Sequence, residues 1–104
     1  MLSSRDVILR AENLDAAKAF YPGVMGFTIV CDTDRLLGFE TGSFTLYVEP
    51  GSDPTPVFDF ETASFEETKA RLLAHGCTPV EENPAIPRFY VRDPFGLAFN
   101  IAEG

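Results

Sequence analysis

The chain has 104 residues, 45% of them hydrophobic and 23% charged, with ten Phe and three Tyr. Such a composition excludes disorder and is enough to bury a core without staples. Sixteen acidic residues against eight basic ones leave a net charge of −8. That balance argues against nucleic acid, whose phosphates need a basic patch, and favours cationic over anionic small molecules.

In chain order, alternation of apolar and polar residues first predicts a strand over 6–11. Asn13 then caps a helix, LDAAKAFY, with Asp15 in its first turn. Leu14, Ala17, Tyr21 and Val24 give this helix one apolar face, and Pro22-Gly23 is expected to end it. Strands follow at 27–32, 36–41 and 43–49. The connector Pro50-Gly51-Ser52-Asp53-Pro54 is too short to free two domains. After a strand at 56–61, Ser64 and Glu67 form the pattern of a capping box for the helix FEETKARLLAH, which Gly76 terminates. His75, the only histidine, complements the dipole at that end and cannot build a multi-histidine site. Strands at 77–82, 88–92 and 97–102 complete the chain, the last delivered by the turn Asp93-Pro94-Phe95-Gly96. Cys31 and Cys77 have no CxxC or zinc-site spacing and read as reduced thiols. No apolar run reaches the roughly 20 residues of a membrane span. The stretch MLSSRDVILR lacks the basic start and apolar core of a signal peptide, so the cytoplasm is the expected compartment.

The order strand-helix-strand-strand-strand occurs twice, and the halves also match in sequence. NLDAAKA (13–19) parallels SFEETKA (64–70) at an offset of 51, and Gly26-Phe27 parallels Gly76-Cys77 at 50. SFTLYVE (43–49) aligns over LAFNIAE (97–103) at 54, the drift being assigned to the longer loop EENPAIP. The expected fold is α+β: one domain, 1–104, built of two βαβββ repeats, 6–50 and 56–103. Each helix can cover one sheet face only, so curled mixed sheets would leave their other faces around a central groove.

Three stretches, DVILRAENLDAAKAFYPGVMGF, FDFETASFEETKARLLAHG and RFYVRDPFGLAFNI, resemble the vicinal oxygen chelate superfamily. Its members include glyoxalase I, extradiol dioxygenases, fosfomycin-resistance enzymes and bleomycin-resistance binding proteins. The DPFG turn is telling of the superfamily but of no single function. In metal-dependent members the resemblance implies a divalent ion held by His and Glu from the first and fourth strands of each half. Those positions fall here at Asp6, Leu46, Val57 and Asn100. Leu46 and Val57 cannot coordinate, and no imidazole or thiolate is offered, so neither a metal nor another cofactor is expected. The chain also lacks GxSxG, a spaced Cys–His pair and a phosphate-cradling glycine loop.

Alternation extends the expected ligand face from those four positions. Ile8 and Arg10 join Asp6, Phe44 and Val48 join Leu46, Asp59 and Glu61 join Val57, and Ala98 and Ala102 join Asn100. Phe39, Phe89 and Tyr90 are expected to add flat surfaces. The binding set is therefore Asp6, Ile8, Arg10, Phe44, Leu46, Val57, Asp59, Glu61, Tyr90 and Asn100, a mainly apolar face with a few polar groups, suited to a cationic or aromatic small molecule. A groove collapsed around Arg10 paired with Asp6, Asp59 or Glu61 is the alternative. Three functions stay open. The first is a homodimeric, metal-free protein of the bleomycin-resistance type that sequesters an antibiotic-like ligand. The second is an enzyme with a lost or replaced metal, using Asp6, Asp59 or Glu61 as acid/base. The third is a dimeric accessory domain that holds no ligand.

Overall fold

The computed structural model describes residues 1–85 and 88–104; the last two residues of the EENPAIP loop lie outside them. The order is β1 (Leu2–Ala11), α1 (Leu14–Gly23), β2 (Thr28–Asp32), β3 (Leu37–Glu40), β4 (Thr45–Pro50), β5 (Val57–Thr62), α2 (Phe65–Ala74), β6 (Thr78–Asn83), β7 (Arg88–Arg92) and β8 (Ala98–Glu103). The α+β class and the doubled βαβββ order are as the sequence implies. Two compact units carry the two copies: Arg5–Pro56, and Val57–Gly104 together with Met1–Ser4.

Within the first unit the strand order is β2-β3-β4-β1, and within the second it is β6-β7-β8-β5. In each, the first and last strands of the module pair in parallel, β1 with β4 and β5 with β8. The remaining ladders are antiparallel. Even the irregularities repeat: β2 bulges between Ile29 and Cys31, β6 between Pro79 and Glu81. A bulge at the same place in both edge strands re-aims them identically.

The helices form for local reasons. Asn13 Oδ1 accepts from the Ala16 N–H at 3.0 Å, capping α1 as expected. The helix runs through Pro22 to Gly23; Pro22 forfeits only the one bond that its own N–H would make, so close to the end that the helix finishes within two residues. The Val24 N–H still reaches Phe20 O at 2.8 Å. At α2 the capping box does not form: Ser64 makes no side-chain cap. Instead Glu103 Oε1 accepts from the Phe65 N–H at 2.8 Å, placing a carboxylate at the positive end of the helix dipole. Glu103→Ala is therefore expected to cost about 0.5–2 kcal/mol, and Ser64→Ala only a few tenths, in urea unfolding. Equal losses would restore the capping box.

Each helix buries its apolar stripe on one face of its own module's sheet. Ala17 packs with Leu37, Phe39, Leu46 and Val48, supported by Val7, Leu9 and Tyr21. In the second module Phe89, Val91, Phe99 and Ile101 form the core with Phe60, Phe65 and Leu72. Phe39 and Phe89, expected to flank a ligand, are fully buried on the helix side, where Phe39 meets Tyr21 at 5.2 Å and Phe89 meets Phe65 at 6.0 Å. They are core residues because their neighbours in the ladder, and not the strand alone, fix which face they occupy.

Candidate functional site

The faces turned away from the helices are built in rows across each sheet. In the first module, ladder pairing sets Ile8 beside Tyr47, Tyr47 beside Gly38, and Gly38 beside Cys31. The next row holds Asp6, Thr45 and Glu40, and on the other side Arg10 pairs with Glu49. In the second module the matching row is Asp59, Asn100, Tyr90 and Glu81. Val57 and Glu61 share the Asp59 face by alternation.

This arrangement corrects β4. Val7 pairs with Leu46 and Leu9 with Val48, and all four lie in the helix-side core. Leu46 and Val48 therefore do not share a face with Asp6, and the side that carries Phe44 goes with them. Phe44 itself lies just outside β4, its carbonyl accepting from the Thr41 N–H and hydroxyl. The residues that do join Asp6, Ile8 and Arg10 are Thr45, Tyr47 and Glu49. The physical reason is the turn before the strand. Thr41 closes on Phe44 in the first copy, but Asp93 closes on Leu97, one residue further, in the second. The offset consequently grows from 52 between Gly38 and Tyr90 to 53 between Tyr47 and Asn100, and never to 54. Reading turn length before aligning the strands would have found Tyr47.

Asn100 is 7% exposed and hydrogen-bonded at both ends of its amide. Its Nδ2 donates to Asp59 Oδ1 at 2.9 Å, and its Oδ1 accepts from the Phe89 N–H at 2.9 Å. One amide thus clasps β5, β8 and β7. Tyr90, 1% exposed, lies on the expected face but beneath Arg88, whose guanidinium sits 4.7 Å from the ring centroid and donates to Glu81 at 3.0 Å. Val57 is buried. A groove of about 450 Å³ opens at the α2 end of this module, lined by Phe65, Glu82, Arg88 and Glu103 among others. Three of its charged residues are engaged within the module: Glu103 caps α2, Lys69 pairs with Glu82, and Arg88 pairs with Glu81.

In the first module, Glu40 accepts from Arg5 at 2.9 Å and from the Gly42 N–H at 3.1 Å. The Gly42 bond, then Arg5, holds its carboxyl below the ordinary range. Arg10 lays its aliphatic stem on Gly51, where a Cβ would come within 2.8 Å of Arg10 Cδ. Tyr47 seats its ring against Gly38. A Cβ there would stand 2.9 Å from Cys31 Cβ and 3.0 Å from Tyr47 Cε1. Gly38→Ala is expected to lower stability by about 1–3 kcal/mol in chemical denaturation, because Cys31 Cβ is fixed to backbone and cannot yield. A neutral result would remove the close packing.

The donor set does not fit a divalent ion. Tyr47, not Leu46, stands at the β4 position, but Val57 offers no atom, and the Asn100 amide is committed to Asp59 and Phe89. Among the described residues no three of His, Cys, Asp and Glu converge. Zinc and iron sites draw on such side chains, with three protein ligands typical of a catalytic ion.

A family model, described as a glyoxalase-like domain, matches residues 6–102. The chain belongs to the glyoxalase-like family. Solved structures share the fold of this glyoxalase-like chain. A glyoxalase/bleomycin resistance protein/dioxygenase superfamily member from Vibrio splendidus aligns at 14% identity and TM-score 0.64, over 94% of this chain and 96% of that one. The Mn(II)-bound glyoxalase from Novosphingobium aromaticivorans aligns at 23% identity and TM-score 0.64, over 97% of this chain and 38% of that one. Homoprotocatechuate 2,3-dioxygenase from Brevibacterium fuscum aligns at 15% identity and TM-score 0.61, covering 96% and 35%. At these identities the likeness is one of fold. No functionally curated protein matches the chain. Among the described residues no helix is long and apolar enough to cross a membrane.

Proposed function

We propose that this glyoxalase-like chain binds a small organic molecule without a resident divalent ion, on strand faces turned away from its helices, and acts by sequestration. The observation that carries this is the state of Asn100. At the position where the superfamily resemblance implies a glutamate ligand, an amide is spent on holding three strands together. The same observation weakens the catalytic alternative, since Asp59 Oδ1 already accepts from that amide. The homodimer implied by the resemblance belongs to the same reading, and light scattering at twice the 11.4 kDa chain mass would support it. So does a reducing, cytoplasmic setting, which suits the free thiols of Cys31 and Cys77.

Two measurements test the reading. Dialysis against Mn2+, Ni2+ and Zn2+ followed by elemental analysis is expected to leave far less than one metal per chain. One tightly held ion per chain overturns it. A thermal-shift screen of cationic, aromatic and neutral compounds is expected to yield a stabilising ligand. At a hundredfold excess over Kd that ligand would add about 2.7 kcal/mol, a rise of about 10–20 °C for a chain this size. No shift across the panel favours the accessory function.

A further inference from the structure

The two modules treat one position differently. Row by row, Ile8, Tyr47, Gly38 and Cys31 correspond to Asp59, Asn100, Tyr90 and Glu81. In the second row the central amide finds a carboxylate on the neighbouring strand and a backbone N–H on the other side. In the first row the neighbour of Tyr47 is Ile8, which has no polar side-chain atom to give. Among the described residues the Tyr47 hydroxyl has no hydrogen-bond partner.

Gly38 shows that this ring is placed and not merely tolerated. The positive-φ glycines are Gly26, Gly42, Gly76 and Gly96, so nothing in the Gly38 backbone asks for glycine. What asks for it is space: any Cβ would press on the Tyr47 ring and on Cys31. Asp6 and Glu40 lie in the adjoining row of the same face. Burial raises the Tyr47 phenol above its ordinary pKa, and the carboxylates of Asp6 and Glu40 raise it further. Burial disfavours charge of either sign, but the carboxylates of Asp6 and Glu40 make the local potential negative, and that part favours a cation at this spot.

We propose that Tyr47 is the recognition residue for an organic ammonium ligand, which lies against the phenol ring with its N–H groups directed to Asp6. The ring supplies a cation–π surface and the carboxylate a charge-assisted acceptor, while Ile8 gives the ligand's carbon skeleton an apolar neighbour. This rests on the small-molecule reading above and narrows it to the first module. The corresponding amide of the second module, Asn100, is committed to structure.

The test is an amide NMR titration of the 104-residue chain with phenethylammonium chloride and, separately, with the neutral 2-phenylethanol. Shifts are expected to centre on the amides of Ile8, Gly38 and Tyr47, with the alcohol binding at least about tenfold more weakly. Tyr47→Leu and Asp6→Asn should each weaken the ammonium about three- to tenfold. Lys18→Ala, on the helix side, should not. Unchanged spectra elsewhere confirm that each variant folds. Shifts centred on Asp59 and Asn100 overturn the inference and leave the small-molecule reading standing. So does equal binding of alcohol and ammonium, or an unaffected Tyr47→Leu. Absence of saturable shifts with either probe also overturns it, while the thermal-shift panel judges the broader reading separately.

Discussion

Leu46→Ala is expected to destabilise the protein by about 2–5 kcal/mol, the cost of emptying a packed core position. Tyr47→Ala, one residue along, is expected to cost less than half as much. Leu46 is in the helix-side cluster with Phe39, Val48 and Ala17, whereas Tyr47 is half-buried on the opposite face. The pair therefore measures the register of β4 directly, because a slip of one residue would exchange the two sides. Urea unfolding of both variants settles it. A small loss for Leu46→Ala beside a large one for Tyr47→Ala would return Leu46 to the ligand face and remove the basis for the Tyr47 proposal. A change in slope as well as midpoint would report an altered denatured state, so midpoints are to be compared at equal slope.

That register is where the sequence stopped being legible. Both helices, all eight strands and the doubled order were readable because caps, terminating glycines and alternation are local signals, as at Asn13, Gly76 and Leu97–Ala102. Faces on β1, β5 and β8 were also readable. Val7 and Leu9, Phe60, and Phe99 and Ile101 alternate with residues of the other face and pack in the helix-side clusters, whereas Phe58, expected in the core with Phe60, is 40% exposed. On β4 the run Phe44-Thr45-Leu46-Tyr47-Val48 has bulky side chains on both faces, so alternation alone cannot orient it, and the repeat was asked to decide. The repeat misled by one residue, because the turn at Thr41 is a residue shorter than the one at Asp93. The Ser64 capping box failed for a different reason: a residue 38 positions away, Glu103, supplies the cap. Long-range contacts of that kind leave no local trace. Tyr90 shows the same limit, on the expected face but covered by Arg88. Within the first module Asp6, Ile8 and Arg10 lie on the face turned from the helix, with Thr45, Tyr47 and Glu49 and not Phe44 or Leu46 beside them; within the second, Asp59, Asn100 and Tyr90 share such a face.

Asn100→Leu is expected to be among the most damaging single changes on the strand faces, at about 2–4 kcal/mol, a fall of roughly 10–20 °C in Tm. Leu keeps the branching of Asn but is bulkier, so part of the single-variant loss is overpacking at this 7% exposed site, and the double-mutant cycle isolates the hydrogen bonding. Removing the amide strips Asp59 Oδ1 of a donor and leaves the Phe89 N–H, at a residue 0% exposed, without its acceptor. Buried groups left in that condition cost more than the bond was worth. The double variant Asp59→Leu with Asn100→Leu removes both side-chain partners at once and is expected to recover part of the loss, leaving mainly the Phe89 N–H penalty. Recovery of about 1 kcal/mol or more in the double-mutant cycle is the signature of the clasp. Additive losses would mean that the two side chains act independently. In that case Asn100 would be available to a ligand after all, and the asymmetry between the modules, on which the assignment to Tyr47 depends, would disappear.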